Sequence, residues 1–545
     1  MPAGPLDFIG WKKHTEIFLD QRVTSAILGI CRYGARIGYK GPRNSINIYP
    51  NLSTAEEDEK IVTADIVSEL ADNRLKCYSN RSCLPTYYKA SPLGLVDKSD
   101  GTKRRIHHQS YPPEEGGSIN CGIPQHYGTI AYSNISEAVS GIQSLGKNSL
   151  LIKRDFEKAF RHIPISPLDT PLLGFHWQNK YYAEQFLPFS FRTASYIFNL
   201  FAETFHWILE KLLENNTLPA VVVHYLDDFL IVLPEKQDLS QYSSIFSRLC
   251  SELGLSLKIS KNEEGSMASF GGVEFDTERM AIWLPAKKLQ KAKSIVDKAQ
   301  NAQSASLVEL QRVTGFLNFA LIVIPLGRTF LRRLYNMQLY FTSERKQIRR
   351  RLSSEAQNDL AWWANFSLLA PERSIQVERR DIVTLWSDAA GTKGLGAFYT
   401  SGIGQQPEPD AAFSISLPSY ITRAREHINT KEMRAVEQAL LYWGRQWRGS
   451  KVIMHVDNRA VAHGLENQTI CGAPMDVLRR CLLLAAEYDL DVEARWIPTR
   501  ENALADALSR FDYDRIANLA SQLIYPTCNL RSREFLTYSN RDCHQ

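Results

Sequence analysis

Two acidic motifs have the residue types and spacing for metal-assisted chemistry. In HYLDDFLIVL (His224 to Leu233), Asp227 and Asp228 occupy the turn of a hairpin whose two strands are apolar. Adjacent carboxylates repel each other, packing gives no reason for them, and a divalent cation would relieve the repulsion. In LLIKRDFEKAF, Asp155 ends another apolar strand. Strands that end in carboxylates can lie side by side in one sheet and converge their oxygens. Magnesium takes octahedral oxygen ligands and is commonly shared between carboxylates and substrate phosphates. Two such ions can stabilise the attacking and leaving oxygens of an in-line displacement, and phosphoryl transfer needs positioning and charge stabilisation above all.

The C-terminal part holds four more acids, each in a distinct setting. Asp388 ends a strand in LWSDAAGTKGLGAFY, Glu432 is expected in the first turn of a helix, Asp457 ends a strand in MHVDNRAVA, and Asp506 falls near the start of a last helix in ENALADALSR. Singly, each has an ordinary explanation, because acids favour helix starts and strand ends. Four in this order on this pattern are much harder to explain by chance.

The elements that must position these residues are legible from periodicity. Leu93 to Val96 and Lys103 to His107 read as strands around an Asp100-Gly101 turn. Leu150 to Ile152, Ala220 to His224 and Phe229 to Leu233 read as short apolar strands. Pro285 to Tyr340 reads as mainly helical, with a capping box at Ser306 and Glu309, and a loop is expected over 369–374. Beyond Asp381, strands are expected at Ile382 to Ser387, Leu395 to Thr400 and Ala412 to Leu417. A helix with Met433, Val436, Leu440, Trp443 and Trp447 on one face follows, then strands at Val452 to Val456 and Val492 to Ile497. Three strands followed by alternating helix and strand imply a mixed sheet flanked by helices. Residues 1–85 read as mixed helix and loop, with no function legible in them.

Length and composition set bounds. At 545 residues, 44% hydrophobic and 23% charged, the chain is an ordinary globular multidomain protein. Nine cysteines without regular spacing argue against a disulfide framework or a zinc module and point to reduced thiols inside a cell. No basic-then-apolar leader opens the sequence, so no secretory signal is expected. The longest apolar run, Phe319 to Leu326, is too short to span a bilayer. Between Pro285 and Arg351 there are fourteen Lys/Arg against three Asp/Glu. That balance suits a phosphate backbone as well as it suits a solvated helix face.

The palm-like motifs resemble those of retroelement reverse transcriptases. Asp155 matches the family's first catalytic aspartate and YLDD (Tyr225 to Asp228) its YxDD signature. Phe160 falls where the family places an aromatic gate against the nucleotide 2′-hydroxyl, which implies a preference for deoxynucleotides. LVDKSDGTKRRIHHQS is similar to the fingers hairpin that grips the triphosphate. Lys98 and Arg104 are carried over to those contacts, with Arg105 as the rival because the register is open by one. LGLSLKISKNE, with Lys261, resembles the next palm block, and FGGVEF (Phe270, Gly271, Gly272 onward) the primer grip. LPAKKLQKAK through LGRTFLRRLY resembles the basic thumb. LPFSFRTASYIF departs from its block twice, with Ser190 for the usual glycine and Ser195 for the usual proline, so reduced rather than lost activity is expected.

Asp388, Glu432, Asp457 and Asp506 match the acid set of ribonuclease H domains, in the short form without a histidine loop. SPLGL, RRIHHQS, LGRTFLRRLY and ADALSR look most like DIRS-type retrotransposons, although no recombinase motif is present. The resemblance implies an α+β multidomain chain: a right-hand polymerase of fingers, palm and thumb followed by a ribonuclease H-like α/β domain. The expected boundaries are 1–85 for an N-terminal extension, 86–283 for fingers and palm, 284–375 for thumb and connection, 376–512 for the ribonuclease H-like domain, and 513–545 for a tail. It further implies RNA-directed DNA synthesis and hybrid cleavage, with two Mg2+ (or Mn2+) ions held by each acid set. The implied partners are RNA template, DNA primer, RNA–DNA hybrid and deoxynucleoside triphosphates, with no membrane. An intracellular place, cytoplasm or nucleus, is expected; RKQIRRRL (Arg345 to Leu352) reads as a nuclear address or, more simply, as a basic thumb face. Two rivals stand beside this reading: a decayed or co-opted retroelement protein that binds nucleic acid without synthesis, and a nuclease alone.

Overall fold

The computed structural model describes the chain except for residues 1–3, 17–19, 98–100, 114–116, 131–134, 342–347, 365–371, 377–379, 402–409, 418–425 and 524–545. Two compact units divide between Trp283 and Leu284, with 374–376 returning to the first unit. Among the described residues no helix is long and apolar enough to cross a membrane.

The first unit begins with helix α1 (Phe8–Thr15). Strands β1 (Ile46–Ile48), β2 (Leu75–Tyr78), β3 (Tyr88–Ala90), β4 (Leu93–Asp97), β5 (Lys103–His107), β6 (Leu150–Asp155), β7 (Gly174–Trp177) and β8 (Lys180–Glu184) follow. Among its further elements are helix α2 (Ala194–Asn215), strands β9 (Val221–Tyr225) and β10 (Asp228–Leu233), helix α3 (Leu239–Leu253) and strands β11 (Glu263–Gly265), β12 (Met267–Phe270), β13 (Val273–Asp276) and β14 (Ala281–Trp283).

A four-stranded antiparallel sheet in the order β11-β6-β10-β9 carries the first acid motifs. Successive side chains on a strand face opposite ways, so Phe229 points away from the face that Asp228 takes. Its ring, with Phe156, Phe205 and Phe246, forms a cluster with centroids 5.1–6.3 Å apart. The residues that follow Asp155 and Asp228 are thereby locked into the core under α2 and α3, which holds the strand ends that bear the acids. The expected hairpin of β4 and β5 is present, Leu93 opposite His107 and Asp97 opposite Lys103.

The described part of residues 1–85, expected as an N-terminal extension, is built into this unit. Strands β1 and β2 form the two edges of a second sheet, in the order β1-β3-β7-β8-β2. Trp11 on α1 is fully buried, meets the Phe201 ring edge-on at 5.1 Å, and donates its indole N–H to the Leu253 carbonyl at 3.0 Å. No hydrophobic period announces this, because the segment is short elements whose partners come from far along the chain.

In the second unit, helices α4 (Ala286–Asn301), α5 (Leu307–Ala320) and α6 (Ser354–Trp362) precede a sheet and its flanking helices. The capping box of Ser306 and Glu309 opens α5 as expected. Where a loop was expected over 369–374, Glu372–Ser374 is strand, and the rest lies outside the described residues. The sheet comprises β15 (Ile382–Ala389), β16 (Gly394–Ser401), β17 (Ala411–Ser416), β18 (Lys451–Val456) and β19 (Asp491–Trp496). Their order is β17-β16-β15-β18-β19, with β18 parallel to both β15 and β19 and the remaining pairs antiparallel. Leu385 and Ala397 pack with α7 (Ile428–Trp443) and α8 (Pro474–Glu487) on one face. Their neighbours Trp386 and Phe398 stack at 4.8 Å on the other face, under α9 (Ala503–Arg510) and α10 (Tyr513–Leu523).

Three local expectations shift. Helix α7 starts at Ile428, so Glu432 falls in its second turn, and it ends at Trp443; Trp447 lies in the turn beyond, still buried in the same core. Helix α9 is not the last. Residues 513–523, expected as tail, form α10, whose Ile516 packs with Leu508 and Phe398.

Replacing Trp11 with alanine is expected to destabilise the first unit by roughly 3–5 kcal/mol. Hydrogen exchange at the β6 and β10 amides reads this directly; unchanged exchange would show that the N-terminal residues are not part of the fold.

Candidate active sites

Asp155 and Asp228 are direct partners across the antiparallel pair β6/β10. Asp227 lies in the two-residue turn between β9 and β10, and the Phe156 N–H donates to its carbonyl at 3.3 Å. Leu226, the other turn residue, has φ +56. A left-handed leucine costs on the order of 1–2 kcal/mol, strain of the kind that gathers at functional turns. The three acids thus meet at one end of the sheet.

The site is electrostatically tight. Burial, and then the charge of Asp155, raise the Asp227 carboxyl above the usual range. Burial pushes Asp228 up to about 6 against the pull of Lys153. One Asp228 oxygen is buried without a hydrogen-bond partner, while the other accepts the Gly271 N–H at 3.2 Å. Lys261 sits 2.7 Å from Asp155. Lys153, two residues before Asp155 and therefore on its face of the sheet, lies 3.7 Å from Asp228 and 3.6 Å from Glu263. Glu263 in turn accepts the Ser269 N–H at 2.6 Å. Asp228, Lys153, Glu263, Ser269 and Gly271 close a ring that fastens the β12–β13 hairpin to the acids. Gly271 and Gly272 turn that hairpin with φ +56 and +82, the left-handed pair a tight two-residue turn demands. Phe270 is buried beneath it. The Asp228 oxygen without a hydrogen bond has Lys153 near it, at 3.7 Å, and among three acids it fits a divalent cation. Lys153, Glu263 and Ser269 carry no sequence signal of this role; only the pairing of β11 with β6 brings them in.

The second acid set is tighter still. Among the described residues, Asp388, Glu432 and Asp457 are the one group of three metal-ligating side chains whose ligand atoms lie within 4.8 Å of one another. The palm trio does not close to that span. Burial, and then Asp388 and Asp457, push Glu432 up to about 9, and one of its oxygens is buried without a partner. Asp388, pushed up to about 6 chiefly by burial, accepts the Ser509 hydroxyl. The contact is possible because Asp388 faces Gly396 on β16, where a Cβ would fall 2.4 Å from the Ser509 nitrogen. Glycine there admits α9 against the sheet. Asn502 fixes the start of that helix by donating to the Ser387 carbonyl at 2.9 Å. Asp506, expected as fourth ligand, is not in the group. Its oxygens are taken by Arg510 and Arg515, each at 2.6 Å.

Residues 100–292 match the family described as reverse transcriptase (RNA-dependent DNA polymerase). That segment holds Asp155, Asp227 and Asp228. Residues 100–292 are a reverse transcriptase domain. No curated protein matches the chain in sequence. Among solved structures it is similar to a foamy viral protease–reverse transcriptase in complex with double-stranded DNA, at 17% identity and TM-score 0.43, covering 91% of this chain and 98% of the other. A foamy viral protease–reverse transcriptase in complex with RNA/DNA hybrid gives 14% identity and TM-score 0.43, covering 90% of this chain and 63% of the other.

In the first unit the remaining candidates separate. Lys98 lies outside the described residues. Arg105, the rival to Arg104, points inward: it pairs with Asp65 at 2.5 Å and Glu184 at 3.5 Å, over the Phe175 ring. Arg104 is exposed, its guanidinium 5.8 Å from the Phe189 ring centroid. Phe189, which sequence reasoning missed, is 57% exposed and covers Phe160 at 4.3 Å, while Phe160 itself is buried and stacked on Phe198. Alternation along β5 decides the arginine register, and the sequence shows it only once the buried face is known. Tyr225 ends β9 opposite Asp228 and is partly exposed. Ser190 is not among the residues with left-handed backbone, so glycine is not required for the chain path there. Ser195 sits in the first turn of α2, where proline and serine are both tolerated.

Arg105→Ala should lower stability by roughly 1–3 kcal/mol, because it removes a buried charged hydrogen-bond donor from Asp65 and leaves Glu184 with Arg161, whereas Arg104→Ala should stay within about 0.5 kcal/mol. Thermal unfolding of the two variants distinguishes them; equal losses would contradict the assignment of inward and outward faces.

Proposed function

We propose that the chain copies RNA into DNA and cuts the RNA strand of the resulting hybrid. The observation that carries the first half is the pairing of Asp155 with Asp228, beside Asp227, inside a segment that matches the reverse transcriptase family. In this reading those three carboxylates hold magnesium. Arg104 and Lys98 neutralise the triphosphate of a deoxynucleotide, the Phe160–Phe189 pair bounds the sugar, and Tyr225 and Lys261 flank the reacting atoms. The Gly271–Gly272 hairpin positions the primer end through its bond to Asp228. Divalent ions, when bound, supply the charge that stabilises the displaced oxygens.

Hybrid cleavage rests on Asp388, Glu432 and Asp457. In this reading these side chains hold metal on a sheet whose strand order and helix placement suit a ribonuclease H-like domain. Chemical recognition is through hybrid shape and backbone, while base pairing supplies sequence. The basic thumb helices would follow the duplex phosphates. A retroelement source, DIRS-type by its short phrases, and an intracellular place belong to the same proposal.

Purified protein with magnesium, an RNA template, a DNA primer and deoxynucleotides should extend the primer. Asp228→Asn should reduce extension on the order of a thousandfold and leave hybrid cleavage intact. Asp388→Asn should do the reverse. Hybrid binding without extension would favour the pure binder, and cleavage without extension the nuclease alone.

A further inference from the structure

Asp506 stands apart from the three acids that converge. It is buried, 6% exposed, and each of its oxygens already has a guanidinium partner at 2.6 Å. Arg510 lies one turn on along α9. Arg515 comes from α10, which the left-handed residue Phe511 (φ +58) turns back and which Ile516 fixes against Leu508. Asp506 is therefore compensated by cations of the chain itself. The converging trio is compensated less: Arg510 acts on Asp388 and Asp457 only through space, without a hydrogen bond, and a buried Glu432 oxygen has no partner. The two arginine side chains are 54% and 42% exposed, so their heads can swing outward without unpacking the core. A guanidinium binds phosphate as readily as carboxylate, in the same bidentate fashion.

We propose that Arg510 and Arg515 are positioning residues that hold Asp506 away from the metal group in the free protein and release it by passing to the backbone phosphates of bound duplex. This rests on the hybrid-cutting role proposed for Asp388, Glu432 and Asp457. Arginine hands over one anion for another, no proton moves, and Asp506 becomes a ligand as nucleic acid arrives.

The test uses the full chain carrying Asp227→Asn and Asp228→Asn, which removes two of the three palm acids. Mn2+ is titrated by calorimetry, and affinity for an RNA–DNA hybrid is measured across salt concentrations. This parent should take one Mn2+ that Asp388→Asn abolishes. Adding Arg510→Ala and Arg515→Ala should raise the count to two, and the slope of log affinity against log salt should fall by about two, close to one per lost phosphate contact. Arg515→Lys in place of the alanine at that position should return the count toward one, since it keeps a cation on Asp506. An unchanged count in the double alanine variant overturns the hold on Asp506, and an unchanged salt slope overturns the transfer to phosphate. If no Mn2+ binding depends on Asp388, the metal site itself fails and the proposal with it, a result distinct from the other two.

Discussion

The structure depends on one awkward juxtaposition: two aspartates facing each other across an antiparallel pair of buried strands. Carboxylates do not choose such company. They stay because the residues that follow them, Phe156 and Phe229, are committed to the core, where they interlock with Phe205 and Phe246. A one-residue slip of either strand would turn those rings to the other face, so the register that buries the aromatics also fixes the acids. The chain meets the resulting charge with Lys153 and Lys261. It still leaves one Asp228 oxygen unsatisfied, which costs free energy in the absence of a cation.

The second acid set meets the same difficulty with a different distribution of cations. There the arginines gather on the fourth acid, and burial, with the charges of Asp388 and Asp457 behind it, drives Glu432 up to about 9 while Asp506 sits in a paired state. In both places the chain's own cations decide which carboxylates are available, and in both a glycine sets the approach distance: Gly271 brings a hairpin N–H to Asp228, and Gly396 brings α9 to Asp388. Backbone approach and charge compensation are thus arranged together, by strand register in one unit and by helix-on-sheet packing in the other.

Much of this was legible in the sequence, and what was not follows a pattern. The seven acids, the hairpins and the five strands of the sheet in the second unit stand out because apolar periodicity and turn residues are local signals. The role of residues 1–85 is hidden because β1 and β2 find their partners at β3 and β8, across distances no local pattern records. The choice between Arg104 and Arg105 needs the buried face of β5. Asp506 carries the right motif, yet Arg515, one of the two groups that hold it, lies past the motif on a helix expected as tail. Lys153 reads as an ordinary basic residue before an aspartate until β11 places Glu263 beside it. Motifs report which side chains are present; the partners that tune them come from long-range packing.

The central claim is that Asp155, Asp227 and Asp228 jointly hold a divalent cation. Crystals soaked in Mn2+ and measured at the manganese absorption edge test it most directly. The account predicts an anomalous peak between Asp155 and Asp228, within roughly 2.2 Å of carboxylate oxygens from both strands, with Lys261 drawn off Asp155. Full occupancy of the Asp388–Glu432–Asp457 group with no peak at the β6/β10 strand ends would contradict it.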